Sequence, residues 1–277
     1  MDIKYAILGY NTLNIGDDIQ SLIMTFILPR IDYIIERDNY DNIYDYVTGK
    51  KINKLGNKVL LIMNGWFMQG PNYTTNNIKF PIKNGYIIPL YISTHLSPNV
   101  NELLNSECIN DYIKNEPFYT RDQYTFKILK NKNVDCYYFG CVTQLFEKKY
   151  LGNYHMNNYT ILADCPIDFT EKYTKENPNE QIQIISHTIP LDKVNENPKN
   201  RMENAKKLLI FYCGANKIIT TRLHCYLPCR ALNINVTYIG SIDTRTIDLV
   251  TTIPNTEFLI STLKLAIDNK LKKLKIE

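Results

Sequence analysis

The chain is 277 residues long, with 44% hydrophobic and 22% charged residues, a balance that excludes the disordered and fibrous classes and supports a sizeable core. Its 32 basic and 28 acidic side chains leave a formal net charge of +4, too small an excess for a surface dedicated to nucleic acid, so no nucleic-acid partner is expected. The seven cysteines, an odd number without CxxC spacing, suit reduced buried thiols better than a disulfide framework or a zinc site, and no metal is expected.

The first residues lack the apolar region and cleavage site of a signal peptide, and no later run reaches transmembrane length, so the reading is a cytoplasmic protein with no transmembrane segment. Strand-like apolar runs fall at Lys4–Leu8, Lys58–Met63, Tyr86–Ile92 and Val134–Phe139. Between them, Ile19, Leu22, Ile23, Phe26 and Ile27 repeat at helical spacing and stop before Pro29, and a second helical pattern covers Arg121 to Lys130. The alternation resumes with strands at Tyr159–Ala163, Ile182–Ser186, Lys217–Thr220 and Val236–Ile239. Helices fit Arg201–Tyr212, Leu223–Leu232 and Glu257–Lys273, the last with an apolar stripe of Leu259, Leu263, Ile267 and Leu271.

Strands alternating with helices predict an α/β fold with mostly parallel sheets. Two such sets predict two Rossmann-like domains, residues 1–150 and 151–277, meeting near the polar stretch Glu147–Asn158 with a cleft between them. The Glu171–Gln183 and Asp192–Asn200 segments, each with an Asn-Pro pair, read as surface loops.

Four constellations can carry chemistry. Asn14, Gly16, Asp17 and Asp18 lie between the first strand and the first helix, where backbone amides hold an anion or are capped by an aspartate; the residues alone favour the cap. His95 emerges at a strand end, which leaves a buried structural histidine and a site residue both open. Arg121 opens a helix, a position the macrodipole disfavours, and so implies a bound anion or a partner carboxylate. The strongest is Thr220-Thr221-Arg222-Leu223-His224, where a β-branched strand runs into an anion fork and a titratable imidazole at a strand-to-helix turn. Cys225 and Cys229 beside it read as core.

Asn14-x-Gly16-Asp17, the strand ending in His95, Arg121-Asp122, Tyr138-Phe139-Gly140-Cys141, Ala163-Asp164, Ser186-His187 and Thr221-Arg222-Leu223-His224 follow one another in an order that resembles the polysaccharide pyruvyl transferase family across nearly the whole chain. The resemblance implies a GT-B-like pair of domains, acceptor side first and donor side second. It also implies phosphoenolpyruvate as co-substrate with no cofactor, and a sugar or glycan acceptor. Arg222, Leu223 and His224 match the donor-binding and catalytic segment, and Arg121 a basic residue at the cleft with a catalytic part. Some members carry a lysine after this helix; here Arg245 is the basic residue available for donor binding. Asn14, Gly16, Asp17, His95 and His187 are expected to bind substrate. Two other readings stay open: a GT-B nucleotide-sugar glycosyltransferase, whose diphosphate the same cations would hold, and a catalytically silent glycan-binding protein.

Overall fold

The computed structural model describes residues 3–67, 80–97, 101–155, 157–194, 196–243 and 246–276. The first apolar run becomes strand β1 (Lys4–Gly9), and the helical stripe becomes helix α1 (Ile15–Ile27). Asn14 caps α1 by accepting the Gly16 amide at 3.1 Å, and the helix stops ahead of Pro29, which cannot continue it. Ile19, Ile23 and Met24 are fully buried, as the stripe requires.

A run of β2 (Tyr33–Glu36), β3 (Asn39–Asp45) and β4 (Lys51–Ile52) follows, each antiparallel to the next. No apolar run announces β3: it reads Asn-Tyr-Asp-Asn-Ile-Tyr-Asp, and only Tyr40 and Ile43 are buried. Strands β5 (Val59–Ile62), β6 (Trp66–Phe67), β7 (Ile87–Leu90) and β8 (His95–Leu96) come next. The first sheet has the order β4-β3-β2-β1-β5-β7, parallel from β2 to β7. Every residue of β5 is buried, which suits a parallel strand covered on both faces.

Helix α2 (Ser106–Lys114), strand β9 (Phe118–Thr120), helix α3 (Gln123–Asn131) and strand β10 (Cys136–Tyr138) complete the first half. The Tyr119 amide donates to the Tyr91 carbonyl and the Arg121 amide to that of Thr94, both at 2.9 Å. This pairing continues the sheet past β7 and leaves Arg121 at the carboxyl end of β9. Asp122, not Arg121, caps α3.

The second sheet is built from β11 (Tyr159–Ala163), α4 (Ile167–Glu176), β12 (Gln181–Ile185), α5 (Pro198–Cys213), β13 (Lys217–Thr220), α6 (Leu223–Ala231) and β14 (Val236–Tyr238). Its order is β12-β11-β13-β14, all parallel. The two segments expected to be loops are corrected here. Glu171–Gln183 contains the end of α4 and the start of β12, and Asp192–Asn200 contains the first turn of α5. The two Asn-Pro pairs act in opposite senses: Asn177 ends α4 ahead of Pro178, while Asn197 caps α5 with Pro198 as its first residue.

Helices α7 (Ile247–Thr251) and α8 (Thr256–Ile276) close the chain. Leu259, Leu263 and Ile267 of α8 are buried, and Lys270 reaches the first half to donate to Asn115 at 2.7 Å. Among the described residues no helix is long and apolar enough to cross a membrane. All seven cysteines are free, and Cys225 and Cys229 are core residues.

Candidate active site

Strand β13 runs into α6 through Thr220, Thr221 and Arg222, and this turn is tied to the end of β11. Asp164, held at φ 50°, accepts the Arg222 Nε at 2.8 Å, the Ser186 hydroxyl at 2.6 Å and the His187 amide at 2.8 Å. Thr221 donates its hydroxyl to the Asp164 carbonyl at 2.7 Å. Burial pushes the Asp164 carboxyl up, but these donors and the Arg222 charge outweigh it and hold the group below its ordinary value. Arg222 occupies the N-cap of α6 without a side-chain cap bond, so the first-turn amides of Leu223 and His224 have no carbonyl within the helix to meet. A positive helix end and a guanidinium thus share one turn.

A backbone bridge joins the two halves beside this turn. The Ile15 amide donates to the His187 carbonyl at 3.0 Å, and Asn14 pairs with Thr188. Arg201, 1% exposed, locks the same region: it meets Asp18 at 2.8 Å and donates to the carbonyls of Thr12 and Val194 at 2.9 Å each.

These ties gather seven of the expected site residues, Asn14, Asp17, Arg121, His187, Arg222, Leu223 and His224, around one cavity of about 310 Å³. The Arg121 guanidinium is buried. Its Nη1 reaches the Gln20 Oε1 at 3.4 Å and its Nε lies 4.0 Å from Asp122, a carboxylate it shares with His95, yet Nε makes no hydrogen bond within the described residues. His224 Nε2 and His187 Nδ1 are likewise buried without such a bond, while His187 Nε2 contacts the Tyr212 hydroxyl at 2.5 Å. Burial, followed by the charges of Arg121 and His187, pushes His224 well below the usual imidazole range, so it is neutral near pH 7. Asp17 accepts the Thr12 hydroxyl at 2.8 Å, and burial pushes its carboxyl up against the charge of Arg37.

Four expectations are corrected or fall outside. His95 does not line the cavity: it is fully buried, and its Nδ1 meets Asp122 at 2.5 Å, the structural use of a strand-end histidine. Gly16 does not line it either. A Cβ on Gly16 would sit 3.0 Å from that of His224 and 3.3 Å from its Nδ1, so the missing side chain lets His224 approach. Arg245 lies outside the described residues. Of the aspartates expected to cap α1, neither does; Asn14 serves, and Asp18 pairs with Arg201.

Trp66, Tyr238, Ser241 and Thr246 also line the cavity without having stood out in the sequence, and neither did the positioning part of Asp164. A signal existed for the first, since Trp66 is the single tryptophan of the chain. Larger hollows, about 560 Å³ beside Arg230 and Ile253 and about 440 Å³ beside Lys207 and Phe211, do not join two arginines to a buried histidine.

Residues 14–243 match a family model described as polysaccharide pyruvyl transferase. Among solved structures, the chain is similar to a functionally uncharacterized protein from Klebsiella pneumoniae, with 15% identity over 89% of this chain and 88% of that one and a TM-score of 0.50. It is also similar to a UDP-GlcNAc 2-epimerase from Methanocaldococcus jannaschii, with 10% identity over 96% of this chain and 92% of that one and a TM-score of 0.41. The first shares the fold. No curated protein matches the sequence.

Proposed function

The chain belongs to the polysaccharide pyruvyl transferase family, matched over residues 14–243, and from that premise we propose that it moves pyruvate from phosphoenolpyruvate onto two hydroxyls of a hexose in a glycan, closing a ketal. The observation that carries this reading is the convergence of Arg121, Arg222 and His224 on one cavity at the N-terminus of α6. A GT-B-like pair of Rossmann-like domains, residues 1–150 on the acceptor side and 151–277 on the donor side, is consistent with one mixed, mostly parallel sheet and one all-parallel sheet.

In this reading Arg222, Arg121 and the first amides of α6 hold the donor's carboxylate and phosphate. Arg121 has an open Nε for the purpose, and Arg222 is braced by Asp164. Neutral His224 takes the proton of the attacking hydroxyl as its oxygen bonds to C2 and hands that proton to C3, whose π electrons form the new C–H bond. The C2–O bond to phosphate then breaks with its electron pair on the leaving oxygen. The second hydroxyl closes the ring and its proton leaves with phosphate. Donor cations next to a buried imidazole stabilise the charge that develops on the leaving group. The chemistry calls on no resident cofactor.

The test is to incubate the protein with phosphoenolpyruvate and candidate hexose acceptors, following phosphate release and a new ketal methyl signal by NMR. Consumption of nucleotide sugars in place of phosphoenolpyruvate would overturn the reading in favour of a glycosyltransferase.

A further inference from the structure

The cavity has two chemically distinct kinds of wall. One is cationic, made by Arg121, Arg222 and the first turn of α6. The other comes from the first half of the chain, where Trp66, Asp17 and Asn14 bring an aromatic ring, a carboxyl and an amide to the lining. A carboxyl beside an aromatic plane is a poor seat for phosphate. It is a good seat for a pyranose, whose C–H face is apolar and whose hydroxyls need a carboxyl or amide partner.

Trp66 is presented rigidly. Strand β6 pairs with β8 through Trp66 and His95, and the Trp66 carbonyl accepts Arg37 Nη1 at 2.8 Å, itself held by Asp38 at 2.8 Å. The Trp66 and His95 rings lie 6.0 Å apart. Neighbouring strand residues point to opposite sides: Phe67 is fully buried in the core, whereas Trp66 is half-buried and faces the cavity. We propose that Trp66 is the stacking platform of the acceptor subsite, taking the apolar face of a hexopyranose while Asp17 and Asn14 bind its hydroxyls. This rests on the pyruvyl-transfer reading, which assigns the cationic wall to the donor.

Because Trp66 is the chain's single tryptophan, its emission reports this wall alone. The experiment titrates the intact protein with phosphoenolpyruvate, then with methyl gluco-, galacto- and mannopyranosides, in parallel with saturation-transfer NMR of the sugars. The expected result is an emission change with at least one sugar, larger than any caused by phosphoenolpyruvate. Emission that no sugar moves, or that stays constant while NMR shows a sugar bound, overturns the assignment. With an active acceptor, Trp66→Ala should raise the acceptor KM by about tenfold or more, Trp66→Phe by less, and neither should alter phosphoenolpyruvate affinity. Turnover with an acceptor KM unmoved by Trp66→Ala sinks the subsite and leaves pyruvyl transfer standing. Phosphoenolpyruvate that no acceptor consumes, with sugars still moving the emission, sinks the transfer reading instead.

Discussion

Arg201→Met removes one partner of a buried ion pair that ties the two halves together beside the cavity. Arg201 and Asp18 are each 1% exposed and meet at 2.8 Å, and Arg201 also satisfies the carbonyls of Thr12 and Val194. Leaving the partner buried and unpaired costs about 3–5 kcal/mol. At about 2–4 °C per kcal/mol for a chain of this size, the melting temperature should fall by about 6–20 °C. The loss should also depend on pH. Burial, opposed by Arg201, pushes Asp18 up to about 6 from its ordinary 3.8. Between those values the folded protein binds more protons than the unfolded chain, so this group's contribution improves as pH falls through the window. Without Arg201 the Asp18 pKa climbs further and the window widens upward. The variant's deficit should therefore be greatest at alkaline pH and shrink toward about pH 5. Asp18→Asn in the same chain should recover most of the loss. Thermal unfolding of the parent protein, Arg201→Met and the Arg201→Met/Asp18→Asn double variant across this range is the assay. A deficit of less than about 2 °C, or one that neither acid nor Asp18→Asn reduces, would mean that the Arg201–Asp18 pair does not hold the two halves together.

His224→Ala should lower turnover by about a hundredfold to ten-thousandfold while leaving donor affinity comparatively intact; near-normal turnover would end its assignment as the acid/base. Because Arg121 helps to depress His224, an anionic donor beside Arg121 should raise it, so donor binding near pH 6 should take up protons in calorimetry run in buffers of different ionisation enthalpy. Equal uptake by His224→Ala would contradict this. Arg222→Ala should weaken phosphoenolpyruvate binding by about 1.5–3 kcal/mol. Asp164→Asn, which tolerates the positive φ, should weaken binding in the same direction through Arg222 with little change in melting temperature. In thiol titration, all seven cysteines should react after denaturation without reductant. In the native protein Cys165 should react first and slowly, since it alone is not buried and burial of its sulfur still pushes it up to about 11.

Features set by short-range chemistry could be read directly along the chain. The i, i+3, i+4 stripe of α1, the β-branched run of β13 and the alternation from β11 to β14 each depend on neighbours within about ten residues, and each was legible. The polar strand β3 was not, because it is held by pairing with β2 and β4 and not by an apolar period of its own. The two Asn-Pro pairs are the same dipeptide, and only the elements packed around them decide which ends a helix and which begins one. The site divides in the same way. Arg222 and His224 were legible because strand, turn and helix are contiguous there. His95 offered an equal strand-end signal, and what separates it from His224 is a carboxylate 27 residues away. Asp18 looked like a cap until Arg201, 183 residues on, claimed it, and Trp66 had no signal of place because the cavity it lines is completed by residues from both halves. Partner identity at such separations is a property of the closed chain: burial makes each buried charge or imidazole demand a partner, and only tertiary packing decides which one it meets.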